Sequence, residues 1–310
     1  MNTPSDAIPE SSLASHRVEP AAVPWTQLFY WCVRRELWEF RSIYIAPLGV
    51  AGLILVGSLI SLVQLPHNTR AALALDPVRQ RDAIGRHYDV AALLIMGVTL
   101  IVALYYCLEA FHGERRDRAI LFWKSLPVSD FTVVLSKAAI PLVILPLVTF
   151  AVTVVTQGIM LFLNAAVLLA SGIGVAPLWN NLSPFHMSWM LLYHLLALHG
   201  FWYAPIYGWL LFVSAWARRA PLLWATAPLL AVGFVEKIAF NTSYFGAMLM
   251  HRFAGSPQDA SSTPGSMSMD ALTHTGPLAL LSSPGFWIGL AVTAAFLFAA
   301  VRLRRNQGPA

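Results

Sequence analysis

The sequence predicts an all-α membrane protein with six transmembrane helices and both termini in the cytoplasm. The chain of 310 residues is 57% hydrophobic and only 11% charged, whereas about a quarter of the residues in a soluble domain are charged. Residues 138–217 contain no Asp, Glu, Lys or Arg, which leaves room for two spans of about 20 residues and their connection. The basic residues lie at the ends of apolar runs.

Apolar runs and basic residues together predict the topology. The predicted spans are 43–65, 90–108, 138–163, 188–215, 222–240 and 284–301. With the N-terminus inside, the cytoplasmic segments carry 14 Lys and Arg residues and the external segments carry 6. Because positive residues are retained on the cytoplasmic side of a membrane, this orientation is favoured over its inverse. Pro141 and Pro146 predict a kink in the third span.

The chain before the first span divides into a tail and an amphipathic segment. Residues 1–24 contain four Pro, four Ser and no apolar run, so we expect a disordered cytoplasmic tail rather than a signal peptide. Residues 25–41 mix aromatic and basic side chains, which is typical of a helix lying in the membrane interface. A plain extension of the first span is the alternative. The predicted transmembrane domain covers 25–305, and a short C-terminal tail covers 306–310.

The most informative polar segment, residues 109–137, connects spans two and three and holds five of the 20 basic residues. Ile120, Trp123 and Leu126 recur at three-residue spacing and Pro127 follows them, which indicates an amphipathic helix that stops there. Apolar side chains clustered in a cytosolic segment are expected to pack against lipid or a protein partner.

Motifs for catalysis are missing from the sequence. No G-x-x-x-x-G-K-[ST] phosphate-binding loop, H-E-x-x-H, G-x-S-x-G or C-x-x-C occurs, and each carries a distinct chemistry. We therefore expect no enzymatic activity, catalytic residue, cofactor or metal in this chain. The net charge of +5 reflects span ends rather than nucleic-acid binding. Cys32 and Cys107 are expected to be free thiols near the cytoplasmic side.

Glu236 and Lys237 are adjacent near the outer end of the fifth span and are candidates for a conduit or gate. If the helix continues to Met250, both lie below the membrane surface and need partners. If it ends at Phe240, both lie at the interface and Lys237 reaches toward water. The second alternative is favoured. The loop at 241–283, rich in Ser, Gly, Pro and Met, is expected to be flexible in its middle, and whether its Met and His residues bind a metal stays open.

Three strings of residues resemble one protein family. The run ERRDRAILFWKSLPVSDFTVVLSK at 114–137 resembles the signature loop of bacterial ABC-2-type transporter permeases. RRELWEFRSIYIAPL at 34–48 and WYAPIYGWLLFVSAWARRAPLLWA at 202–225 are also similar to that family. The resemblance covers most of residues 30–245, and its motifs are specific as whole strings and weak as single residues.

The resemblance implies a multi-pass subunit of the bacterial inner membrane, in contact with lipid and not with nucleic acid. Two permease halves, identical or paralogous, would pair with two cytoplasmic ATP-binding cassette subunits, and ATP would be bound by those partners. Residues 25–41 would form an elbow helix, and 114–129 would form a coupling helix docked on the ATPase. The coupling residues would be Glu114, Arg115, Asp117, Arg118, Phe122, Trp123 and Leu126.

The function expected from these observations is the permease subunit of an ATP-driven exporter, and the resemblance does not imply a cargo. Two alternatives stay open. An ion-gradient-driven transporter would need an acidic residue deep in a span, and only a buried Glu236 could serve. A membrane enzyme or assembly factor without an ATPase partner is the other alternative, although no catalytic constellation supports it.

Overall fold

The protein is described here from a computed structural model that covers residues 24–116, 128–176, 179, 184–254 and 283–306. Within these ranges all regular structure is helical and no strand occurs. The α-helices, in chain order, are α1 (Trp25–Glu39), α2 (Ser42–Ser61), α3 (Leu65–Leu73), α4 (Pro77–Glu109), α5 (His112–Arg116), α6 (Asp130–Ala139), α7 (Leu145–Ala170), α8 (Pro184–His194), α9 (Ala204–Trp216), α10 (Pro221–Phe240), α11 (Tyr244–Ala254) and α12 (Pro284–Asn306). Two π-helical segments interrupt them, π1 (Ile140–Ile144) between α6 and α7 and π2 (Leu195–Trp202) between α8 and α9.

Five helical stretches in the described ranges are long and apolar enough to cross a membrane. They are α2, the stretch 77–116, the stretch 130–170, α10 and α12. A sixth would be the pair 187–202 and 204–216, whose two parts are bent by 46°. The predicted multi-pass helical architecture is confirmed, and the predicted count of six is reached when the bent pair is one span.

Two differences from the predicted helix boundaries are the most informative. The helix of the second span begins at Pro77, well before residue 90, because charged residues hide the first turns of α4 from a hydropathy count. Helix α11 lies at the start of the segment predicted to be a loop, where Glu236 accepts hydrogen bonds from the Tyr244 and Phe245 amides. Residues 255–282 of that loop lie outside the described residues.

Helix α1 confirms that residues 25–39 are helical, and its position in the membrane interface stays a prediction. Trp31 and Trp38 are both exposed, and the guanidinium of Arg34 lies 5.1 Å and 4.9 Å from their ring centroids. Paired aromatic rings around one cation are suited to the headgroup region. Of the predicted tail, only Pro24 lies among the described residues.

The core of the bundle lies where α4, α9 and α12 meet the third span. Gly208 of α9 faces Thr293 of α12 so closely that an added Cβ would lie 3.3 Å from the Thr293 Cα. Small residues at such a contact let two helices approach through their backbones. Tyr106, Tyr207, Leu211 and Ala300 pack in the same buried cluster. Helix α4 also packs against α2, α7 and α9.

A π-helical segment, π1, lies where the sequence predicts a kink in the third span, and the kink itself stays a prediction. Pro141 lies within π1, and Pro146, just after it, has no N–H for the carbonyl of Leu142 four residues earlier. That carbonyl oxygen faces Gly200 of π2, where an added Cβ would lie 2.5 Å from it. The two π-helical segments therefore meet backbone to backbone, which only glycine permits at this point.

Candidate functional site

A cluster of buried charges lies at one end of the bundle, beside both described ends of the connector between spans two and three. Its charged members come from four helices and are called the charge cluster below. They are Glu36 of α1, Glu114 of α5, Asp130 and Lys137 of α6, and Arg304 of α12. Since buried charges are rare unless they are paired, such a cluster marks a place where geometry is closely specified.

Lys137 is the centre of the charge cluster, with only 1% of its side chain exposed. Its Nζ lies 2.7 Å from Oε1 of Glu36 and 3.1 Å from Oε1 of Glu114. The same ammonium lies 5.4 Å from the ring centroid of Phe111, which adds a cation–π contact. One cation from the third span thus bridges a carboxylate of α1 and a carboxylate of the connector.

Arg304 extends the charge cluster to the C-terminal end of the last helix. Its Nη1 donates to Oε2 of Glu114 at 2.9 Å, and its Nε donates to Oδ1 of Asp130 at 3.0 Å. The hydroxyl of Tyr106 donates to Oε2 of Glu36 at 2.8 Å. Both oxygens of Glu36 and both oxygens of Glu114 are therefore engaged by a donor or a cation.

The charges of the cluster nearly balance. Three carboxylates face two cations, and the side chain of Asp130, at 27% exposure, is the one that water reaches best. Moving an ion out of water costs several kcal/mol, which only close partners offset. Because Glu36, Glu114 and Lys137 are almost inaccessible, the removal of one of them strands the charge of another. Removal of any one of these three side chains is therefore expected to destabilise the whole charge cluster.

The exit of the connector is fixed to α1. Ser129 caps α6 by accepting a hydrogen bond from the Thr132 amide at 3.1 Å. The Thr132 hydroxyl shares a hydrogen bond of 2.7 Å with the Ser129 hydroxyl and also accepts from the indole of Trp25 at 3.1 Å. Val128 packs against Cys32 and Val133. A polar pair and an apolar contact therefore join the start of the third span to the amphipathic helix that precedes the first.

The entrance of the connector is fixed to α9. The Ser214 hydroxyl donates to the Leu108 carbonyl at 2.7 Å and accepts from the amides of Phe111 and His112 at 3.0 Å and 3.1 Å. Arg115 donates to the carbonyl of Ser214 and, at 2.8 Å, to that of Ala217. These contacts provide partners for backbone groups at the end of α4 and of α9, which a helix terminus otherwise leaves unpaired.

The residues predicted to contact an ATPase divide into two groups. Glu114 is 3% exposed and Arg115 is partly buried, so both bind within this chain rather than facing outward. Asp117, Arg118, Phe122, Trp123 and Leu126 lie outside the described residues. Their predicted role stays a prediction, and Glu114 and Arg115 could contribute to docking only through the internal contacts described above.

Sequence reasoning missed Glu36, Tyr106, Lys137 and Arg304 as a set. Each basic member looks like an ordinary positive residue at a span end, and the partners of Glu36 and Arg304 lie 70 to 190 residues away in the sequence. One signal was present. Lys137 directly precedes the 80 residues without charge, so a helix that continued through it would carry an ammonium into the bundle.

The environment of α1 also changes two ionisable groups near the charge cluster. Burial, and then the neighbouring carboxylate of Glu36, raise the pKa of the Cys32 thiol. The same two causes raise the pKa of Glu39. Cys32 and Cys107 are both free and buried, as the sequence predicted for free thiols. Because the thiolate is the reactive form, we expect Cys32 to react slowly with alkylating agents.

Glu236 and Lys237 lie near the end of α10, which stops at Phe240 as the favoured alternative has it. Asn241 then adopts a left-handed backbone conformation with φ of 50°. Oε1 of Glu236 accepts from the Thr242 hydroxyl at 2.9 Å and from the Tyr244 amide, and Oε2 accepts from the Phe245 amide at 2.9 Å. The carboxylate thus caps α11, and a role in a conduit or gate stays a prediction.

Comparison of the chain with protein-family models, curated proteins and solved structures finds no match. Among the described residues, no group of three or more His, Cys, Asp or Glu side chains is placed to hold a metal ion.

Proposed function

We propose that this chain is the membrane-spanning permease subunit of an ATP-driven exporter of the bacterial inner membrane, in which a separate cytoplasmic subunit hydrolyses ATP. The observation that best supports the proposal is the charge cluster, because it joins both ends of the connector to the helix before the first span and to the last helix. The resemblance of residues 114–137 to the signature loop of ABC-2-type permeases is the second support.

The proposed coupling depends on the continuity of helices on each side of the connector. Helix α4 leads through Ala110 into α5, and α6 leads through π1 into α7. A displacement imposed on residues 117–127 by a partner would reach two spans directly through these helices. It would also reach α1 through Lys137 and Glu36, and α12 through Glu114 and Arg304. Buried ion pairs transmit such a displacement because their partners cannot separate without large cost.

A gradient-driven mechanism receives no comparable support. The alternative required a buried acid at Glu236, and that side chain is partly exposed and satisfied by a hydroxyl and two amides at the start of α11. We therefore do not put forward a second function.

The decisive experiment is purification of the chain from its native membrane in mild detergent, followed by identification of co-purifying proteins. We expect a stoichiometric soluble subunit with a Walker motif, which the variants Trp123→Ala and Arg118→Glu lose while still inserting in the membrane. The matched control is Arg219→Glu, the same charge reversal at an exposed position of the neighbouring turn, which should keep the subunit. A pure oligomer without any ATPase, or equal loss in the control, would contradict the proposal.

A further inference from the structure

A cavity of about 450 Å³ lies near the opposite end of α4 from the charge cluster. It is bounded by α2, by the short helix α3, by the first half of α4 and by two residues of α7. Its volume lies within the range of cavities that hold small ligands, about 300–1,000 Å³. The predicted functions leave this cavity unassigned.

The end of the cavity nearest Leu94 is apolar and continues onto the outer surface of the bundle. Ile54, Ala91 and Met160 line its inner part, and Leu94 lines it while remaining half-exposed. Beside this end of the cavity, Leu53 of α2 and Leu93 of α4 are exposed, as expected for helices that face lipid in a multi-pass protein. An acyl chain could therefore pass from the surrounding lipid into the cavity without crossing a polar barrier.

The other end of the cavity is polar and carries the positive charge of Arg86. Arg86 and His87, both exposed, line it on α4, and Asn68 and Thr69 line it on α3. Arg86 forms no ion pair with any residue that the structure describes. An unpaired guanidinium beside hydroxyl and amide groups fits a phosphate better than a neutral headgroup, because charge-assisted hydrogen bonds are the stronger ones.

The distance between the polar end and the apolar end of the cavity suits an amphiphile such as a lipid. Arg86 and Leu94 are eight residues apart on one helix, which is about 12 Å along its axis. Between them, Tyr88 and Asn164 close the inner wall by a hydrogen bond of 2.9 Å, and Gln157 holds the Tyr88 carbonyl at 3.1 Å. The walls are thus fixed across α4 and α7 rather than formed by loose loops.

We infer that this cavity binds one membrane phospholipid with an anionic headgroup, its phosphate at Arg86 and His87 and one acyl chain between α2 and α4. The inference does not rest on the proposed transport function. A free anionic amphiphile such as a fatty acid offers related chemistry, because its carboxylate also has two oxygens that accept from a guanidinium, and the test below distinguishes the two ligands.

Gly57 offers a variant that fills the cavity without straining the fold. It lines the cavity, and nothing lies within 4 Å of a Cβ built on it, so Gly57→Leu places its side chain in the cavity. Gly49→Leu is the matched control, because Gly49 is in the same helix, has equal free space and does not line the cavity. For the charge, Arg86→Gln is compared with Arg81→Gln, which is exposed on the same helix and outside the cavity.

The test reconstitutes the full chain in vesicles of equal parts phosphatidylethanolamine and phosphatidylglycerol and counts retained lipids by native mass spectrometry after detergent extraction. We expect one phosphatidylglycerol per chain in the wild type and in both controls, and none in Gly57→Leu. Arg86→Gln should lower the occupancy by phosphatidylglycerol about tenfold, the change that the loss of one charge-assisted contact produces.

Three results would overturn the inference. They are retention of the lipid by Gly57→Leu, equal loss in Gly49→Leu, and stoichiometric binding of added oleate that displaces phosphatidylglycerol. The last result would assign the cavity to a free fatty acid instead. Circular dichroism of each variant shows whether its helices are intact.

Discussion

The two ends of α4 use the same residue type in opposite ways. Tyr88 and Tyr106 are 18 residues apart, which is five turns, so both lie on one face of the helix, about 27 Å from each other. Tyr106, 1% exposed, donates to the carboxylate of Glu36. Tyr88, 3% exposed, accepts from the neutral amide of Asn164 and lines a cavity of about 450 Å³.

The two ends of α4 differ in how closely their side chains are packed and paired. At the Tyr106 end, partners from α1, α5, α6 and α12 fill the space and cancel one another's charge. At the Tyr88 end, a neutral hydrogen bond holds two helices together and the remaining volume stays open to a ligand. We expect the first end to resist change strongly and the second to tolerate it.

The largest effect is expected for Lys137→Met, which removes the cation between Glu36 and Glu114. Two carboxylates would remain buried without their shared partner, so the free energy of unfolding should fall by about 3–5 kcal/mol. Thermal unfolding of the detergent-solubilised protein measures the change. Lys237→Met is the control, since Lys237 is exposed at the end of α10. A melting temperature equal to that of the control would show that the charge cluster contributes no stability.

A smaller effect is expected for Tyr106→Phe, which leaves Oε2 of Glu36 without its donor. Hydrogen bonds to charged groups contribute about 1.5–3 kcal/mol, and the buried site offers no water as a substitute. The same thermal unfolding assay applies. Tyr105→Phe, at the neighbouring and exposed position, should be close to neutral. If both variants melt together, the Tyr106 hydroxyl is not part of the stabilising network.

The smallest effect is expected for Tyr88→Phe, the identical substitution at the open end. The Asn164 amide loses its partner, but the adjoining cavity admits water or a lipid headgroup, so the loss should be about 0.5–1.5 kcal/mol. The comparison of Tyr88→Phe with Tyr106→Phe under one set of conditions tests the contrast between the two ends directly. A larger loss at Tyr88 than at Tyr106 would reverse it.

The helical architecture was predictable because apolar runs and proline positions report local physics. The 80 residues without charge led to the third span and the bent pair that follows it, and α2, α10 and α12 closely match their apolar runs. The early start of α4 at Pro77 was missed, because a helix can begin in water before it enters lipid and hydropathy detects only the second part.

The charge cluster was not predictable, because it depends on contacts between distant helices. Glu36 and Lys137 are 101 residues apart, and Glu114 and Arg304 are 190 apart. The local sequence shows only that each member of the charge cluster is charged and lies near the end of a span. The same is true of Arg218 and Arg219 on the exposed turn after α9. Only packing separates a buried partner from a solvated one.

The π segments bear on insertions and deletions in this chain. A π-turn closes its hydrogen bond from residue i to i+5, one residue more than an α-turn, so each segment absorbs one extra residue. We expect that removal of one residue from 140–144 returns the turn to α-helical geometry. Lys137 and Thr149, which lie on either side of the segment, would still point towards the same neighbours. A one-residue deletion in the middle of α7 would instead rotate everything beyond it by about 100°. Each π segment is therefore a place where the helix that runs through it can lose one residue while the residues on either side keep their neighbours, apart from the contact between the two π segments themselves.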